Sequence, residues 1–198
     1  AQLVFDQATA GTFAKTISGS GRLTKQGNGT LTLTGANTYS GGTEIALGTL
    51  SVSSDANLGA SSGALSFSGG TLATTGNITT SRGIALNAGA TIETASATSL
   101  EMTGTLSGAG RLTKQGNGTL ILTGANTYSG GTSINSGTLS VSSDANLGAA
   151  SGGLEFAGGT LRTTASFDAS RSALVSGEGV IDTVTGTRLR LLGDLTGT

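Results

Sequence analysis

The amino-acid sequence predicts an all-β chain wound as a parallel β-helix, a solenoid of about 8–9 coils. Three observations predict it. The stretch "GRLTKQGNGTLTLTGANTYSGGT" at Gly21–Thr43 returns 89 residues later at Gly110–Thr132, with one change, Thr32 to Ile121. Short alternating segments such as "TLTLT", "TEIAL", "TLSVS", "ALSFS", "TLATT", "ATIET" and "SLEMT" are separated by glycine-rich corners. A finer spacing also runs inside the unit: Leu50, Leu72, Ile92 and Leu112 recur at steps of 22, 20 and 20, and Leu139 follows after a step of 27. That gives about four turns per unit, each of roughly 20–27 residues, the size of a β-helix coil.

Each element follows from local chemistry. In "TLTLT", Leu31 and Leu33 share one strand face and Thr32 takes the other. The difference between copies at this strand falls on the second face. Elsewhere Leu65, Phe67 and Leu72 keep their identity, while Ala64, Ser66, Ser68 and Ala73 become Gly153, Glu155, Ala157 and Arg162. A buried face beside a solvent face that accepts Glu and Arg produces this pattern. No stretch has helical periodicity, and the absence of proline suits central strands, where it would remove a ladder donor. A pair of β-sandwiches or barrels is the alternative, with "GNG" as a hairpin turn.

A shift of 89 residues aligns most of the chain. Thr49–Ala60 is identical to Thr138–Ala149, and Ser62–Thr75 resembles Ser151–Thr164. The expected organisation is one β-helix segment over 1–198, with a partial lead-in coil at 1–20 and units at 21–109 and 110–198. Thr198 aligns with Ala109, so the chain reads as a window from a longer array.

Composition narrows the function classes. Among 198 residues there are 35 Gly and no Pro, Cys, His or Trp, and the net charge is −1. The ten Lys and Arg form no cluster for a phosphate backbone, which argues against nucleic acid. No apolar run approaches the ~20 residues of a membrane-spanning helix. Without His or Cys there is no Ser-His-Asp or Cys-His relay and no zinc site of those ligands. No enzyme activity, cofactor, metal or small-molecule substrate is expected. Lys25 and Lys114 are read as exposed corner residues. Asp55 and Asp144, one per "SSDANLG" loop and about four coils apart, suit turn chemistry and are too distant for paired acid–base work. Tyr39 and Tyr128 are read as packing over a coil edge with the hydroxyl in water, with a sugar-stacking role as the alternative. Ice binding by threonine ladders is disfavoured, because the threonine pattern does not read as continuous over successive coils.

The stretch "LTKQGNGTLTLTGANTYSGGTEIALGTLSVSSDANLG" at Leu23–Gly59, and its copy at Leu112–Gly148, closely resembles the passenger-associated transport repeat, also called the autotransporter-associated β-strand repeat. The resemblance rests on Leu23, Lys25, Gly27, Gly29, Leu31, Leu33, Asn37, Tyr39, Gly41, Gly42 and Leu50. The second copy repeats them as Leu112, Lys114, Gly116, Gly118, Leu120, Leu122, Asn126, Tyr128, Gly130, Gly131 and Leu139. It implies a right-handed β-helix in the passenger of a Gram-negative autotransporter, displayed on the cell surface after type V secretion through the outer membrane. These repeats are thought to aid transport, and no catalytic residue comes with the motif. The implied partners are flanking β-helix coils and a C-terminal translocator barrel. An adhesin or receptor-binding module, meeting a host surface receptor, is the competing function.

Overall fold

The alternation of inward aliphatic and outward polar residues commits each short segment to a strand buried on one side only. A single coil of such strands cannot close a core, so coils must stack. The computed structural model describes residues 1–197; Thr198, the end of the second unit, lies outside them. Every strand pairing in it is parallel, and each strand pairs with the one a single coil earlier or later in sequence. The chain is a β-solenoid with three strand positions per turn.

The first sheet runs β1 (Gln2–Asp6), β3 (Arg22–Gln26), β5 (Thr43–Ile45), β7 (Leu65–Phe67), β10 (Ile84–Leu86) and β13 (Leu106–Ser107). The second has ten strands, β2 (Gly11–Phe13), β4 (Thr30–Leu33), β6 (Thr49–Val52), β8 (Thr71–Thr74), β11 (Ala90–Thr94), β14 (Leu112–Gln115), β16 (Thr132–Ile134), β18 (Leu154–Phe156), β21 (Ala173–Val175) and β24 (Leu195–Gly197). The third runs β9 (Ile78–Thr80), β12 (Ser99–Met102), β15 (Thr119–Leu122), β17 (Thr138–Val141), β19 (Thr160–Thr163) and β22 (Val180–Thr183). The first face continues past β13 through Asn126–Thr127, a 3-10 turn at Asp144–Leu147, and the pair β20 (Phe167–Ala169) and β23 (Leu189–Leu191).

The ten strands of the second sheet make about ten turns among the described residues, against the 8–9 expected. At the ~4.8 Å strand spacing the stack is roughly 43 Å long. The expected count took the step from Leu112 to Leu139 as one long turn. In the structure Leu50, Leu72 and Ile92 do stack, but the next residue in that column is Lys114, not Leu112, and Leu139 lies on the neighbouring sheet. The step from Leu112 to Leu139 is one turn plus one face. A unit therefore spans four turns and one further strand position.

The inward column of each face is the core. Leu31, Leu33, Leu50, Leu65, Phe67 and Leu72 are buried, and so are Leu120, Leu122, Leu139, Leu154, Phe156 and Leu161. The changed positions Thr32, Ala73, Ile121 and Glu155 are half-buried on the outer side, and Arg162 is exposed. Thr32→Ile is expected to change unfolding free energy by no more than about 0.5 kcal/mol, as a surface substitution away from any special feature does. Urea unfolding of the purified chain checks it.

The threonine pattern also differs from the sequence reading. Thr30, Thr49, Thr71, Thr91 and Thr113 occupy one outer column over five consecutive coils. The neighbouring column, Thr32, Ser51, Ala73, Glu93 and Gln115, is not kept. The second column, not the first, is where a regular hydroxyl lattice breaks down.

Candidate functional site

Two stretches in each unit carry no strand where the solenoid needs one. In the first unit they are the rungs at Asn37 and at the 3-10 turn Asp55–Leu58. Here side chains replace the ladder. Asn37 Oδ1 accepts from the Ile17 N–H at 2.8 Å, and its Nδ2 donates to the Asn57 carbonyl at 2.6 Å. Asn57 Oδ1 in turn accepts from the Ser53 and Ser54 N–H groups, and its Nδ2 donates to the Gly35 carbonyl at 3.0 Å. The second unit repeats this with Asn126 and Asn146. A short amide side chain can both donate and accept, so it bridges coils whose backbones have left strand geometry.

Tyr39 lies beside this ladder. Its hydroxyl is not in water: the residue is 2% exposed, and its Oη is 2.6 Å from Thr43 Oγ1. Tyr128 is 0% exposed and pairs with Thr132 in the same way. Burial raises the pKa of both phenols, and pushes Tyr128 up to about 12. The ring lies so close to Gly59, at φ +85°, that a Cβ there would meet Tyr39 Cε2 at 2.7 Å.

The two lysines are also inside, contrary to the sequence reading. Lys25 and Lys114 are 0% exposed. Each stands in an inward column, Lys25 between Phe5 and Ile45, Lys114 between Ile92 and Ile134. The stem packs there, and the ammonium caps three carbonyls at the corner. Lys25 Nζ donates to Gln26, Gly27 and Leu47 at 2.9, 2.7 and 3.2 Å. Lys114 Nζ donates to Gln115, Gly116 and Ser136 at 2.7, 2.7 and 3.2 Å. The motif glycines make this corner. Gly27 and Gly116 hold φ +78° and +74°, a region that favours glycine. A Cβ on Gly29 or Gly118 would sit 2.2 Å from a carbonyl of the coil below. A Cβ on Gly41 or Gly130 would sit 2.6 or 2.5 Å from a neighbouring backbone, and Gly42 and Gly131 have positive φ.

Burial lowers the pKa of both lysines, Lys114 to about 8, with Glu93 pulling the other way. The unfolded chain therefore binds more protons than the folded one between about pH 8 and the ordinary lysine value of 10.5. The Lys114 contribution makes stability rise with pH over that window. Tyr128 works in the opposite sense, because the folded state withholds its proton up to about pH 12. Stability is expected to peak near pH 10 and fall above it. Melting temperatures from pH 7 to 12 check this, and Tyr39→Phe with Tyr128→Phe should flatten the alkaline fall.

The sequence reading missed Arg82 and Arg171. Arg82 is 3% exposed and reaches back one coil to the Asp55 loop. Its Nε and Nη2 hold both carboxylate oxygens of Asp55, at 2.9 and 3.0 Å. Its remaining donors go to the carbonyls of Asp55, Gly59, Ala60 and Gly63. Arg171 pins the Asp144 loop through one carboxylate oxygen, Nε to Oδ1 at 2.7 Å, and through the carbonyls of Asp144, Leu147, Gly148, Ala149 and Gly152. Asp55 and Asp144 are thus ion-pair partners as well as turn residues. One signal was present: "SR" persists at the 89-residue shift while "TTSRG" becomes "DASRS" around it. An arginine whose donors all point to protein acceptors, with the guanidinium out of water, has none left for a ligand.

A three-faced β-solenoid of tandem units, pinned by buried polar clusters, is the class of protein this arrangement defines. Residues 23–52 and 112–141 each match the passenger-associated-transport-repeat family. The chain carries two matches to this repeat, one per unit. Over 92 residues, 46% of the chain, it is 48% identical to the Adhesin BmaC autotransporter of Brucella suis biovar 1 (strain 1330). That stretch spans 3% of the relative's length. No solved structure matches the chain. These matches place the segment in a surface-exposed passenger exported through the outer membrane.

Proposed function

We propose that the segment is a non-enzymatic structural length of the passenger, whose coil-by-coil closure assists export and folding outside the cell. One observation carries this reading. Lys25, Asn37, Tyr39, Asn57, Arg82 and their counterparts are kept between copies, buried and hydrogen-bonded within the stack, while across the motif the four positions that change, Thr32, Glu44, Ala46 and Leu47, are none of them buried. Outside the cell no nucleotide drives transport, so folding free energy released at the pore exit can oppose back-sliding. In a solenoid each new coil docks on the last, so that energy arrives in steps. The motif residues from Leu23 to Leu50, and from Leu112 to Leu139, serve as the stacking and capping set. Flanking coils and a C-terminal translocator barrel are the partners.

The relative's designation as an adhesin favours a second reading, a host receptor bound by the outer face. Against a shared ligand, Glu44 and Ser66 of the first unit are replaced by Ser133 and Glu155 in the second. Deleting residues 21–109 from the passenger in its native bacterium separates the two. Passenger displayed per cell should drop while attachment per displayed molecule holds. Unchanged display with lost attachment would sink the transport reading.

A further inference from the structure

The repeat unit and the solenoid turn do not share a period. From β3 to β14, the strands that carry the same Leu-Thr-Lys-Gln sequence, the chain passes thirteen strand positions, counting the Asn37 rung and the first 3-10 turn as one each. Three positions make a turn, so the second unit starts one face further round. The sheets show it directly. β3 lies on β1 in the first sheet, whereas β14 lies on β11 in the ten-stranded sheet. Likewise β4 belongs to the ten-stranded sheet and its counterpart β15 to the third. Every later pair of counterparts shifts the same way: β7 and β18, β8 and β19, β10 and β21, β11 and β22.

We propose that the unit is a screw element of the passenger. Each added unit lengthens the rod by roughly 21 Å at the ~4.8 Å coil spacing and turns the displayed outer surface by one face. An array of these units presents the same outer surface to three directions in turn and regains its aim after three units. Loss or gain of one whole unit re-aims everything beyond it, yet leaves the strand register at the junction unchanged. The lead-in shows why the register survives. Phe5 sits on Lys25 as Ile92 sits on Lys114, and Thr12 sits beside Thr32 as Glu101 sits beside Ile121. Residues 1–20 therefore fit on the start of either unit. A partner reading one unit meets its next copy on a different side of the rod, so neighbouring units can hold separate partner molecules without competition for one face. The observation is independent of whether the passenger adheres or only transports.

Two experiments on the purified chain test the screw. In the full chain, Glu93→Cys with Gln115→Cys joins adjacent strands at the junction between units, within disulfide reach. The pair should oxidise to a bridge in the folded protein, and a folded chain in which it stays reduced overturns the proposal. In the chain lacking 21–109, Thr12→Cys should bridge Ile121→Cys, a pair more than four coils apart in the full chain and unbridged there. If the shortened chain bridges Thr12→Cys to Gln115→Cys instead, the face is retained and the screw is wrong. Failure of the shortened chain to fold, with the full chain folded, overturns the interchangeability of units on which the proposal stands.

Discussion

Arg82→Ala is expected to destabilise the first unit by about 3–5 kcal/mol, the cost of removing one partner from a buried ion pair. The guanidinium satisfies the Asp55 carboxylate and the carbonyls of Gly59, Ala60 and Gly63 at once. Alanine leaves all of them without that donor, in a loop whose own backbone makes no strand ladder. The damage is expected to be local. Amide exchange should accelerate over residues 53–63 and leave the second unit protected, because solenoid coils contact only their neighbours. Arg171→Ala should do the same to residues 142–152. Arg82→Lys should recover little, since a single ammonium cannot span the carboxylate and the carbonyl cluster together.

Lys114→Met is the second large effect. Methionine keeps most of the stem between Ile92 and Ile134, so the apolar packing survives. The carbonyls of Gln115, Gly116 and Ser136 lose their shared donor. Buried groups left unpaired cost about 1–3 kcal/mol each. Relief from burying a charge offsets part of that, and a net loss of about 2–4 kcal/mol is expected at pH 7. Denaturant unfolding measures it. The loss should grow as pH rises above about 8, where the folded lysine sheds its proton before the unfolded one does. Wild type gains stability there, and methionine, which binds no proton in either state, does not. A variant as stable as wild type at pH 7 would show that the ammonium is not what holds the corner.

The alternation was legible because it is local. Leu31 and Leu33 against Thr32 needs only the two-residue period of a strand, and the copies supply their own comparison at Ile121. The burial of Lys25 was not legible. Its neighbours Phe5 and Ile45 each lie a full coil away along the chain, and the carbonyls it caps are brought together by a glycine corner and the next coil. Tyr39 and Thr43 are close in sequence, yet their contact depends on a chain bend at Gly41 and Gly42. Arg82 lay in the weakest-matching part of the repeat. Only the retained "SR", and its equal distance along the chain from Asp55 and from Asp144 in the two copies, marked it. The screw was hidden because the turns differ in length as corners absorb extra chain: Thr119 pairs with Thr138, but Thr138 pairs with Thr160. With turns that uneven, the step from Leu112 to Leu139 reads as a long turn instead of a turn plus a face.

We propose that the repeat works through its buried clusters and not through its outer face. The direct measurement is surface display of the passenger carrying Arg82→Ala with Arg171→Ala, set beside one carrying the outer changes Thr32→Ile and Ala73→Arg. Display per cell should fall for the buried pair and hold for the outer pair, with attachment per displayed molecule unchanged in both. Full display of the buried pair, together with loss of attachment in the outer pair, would contradict the account.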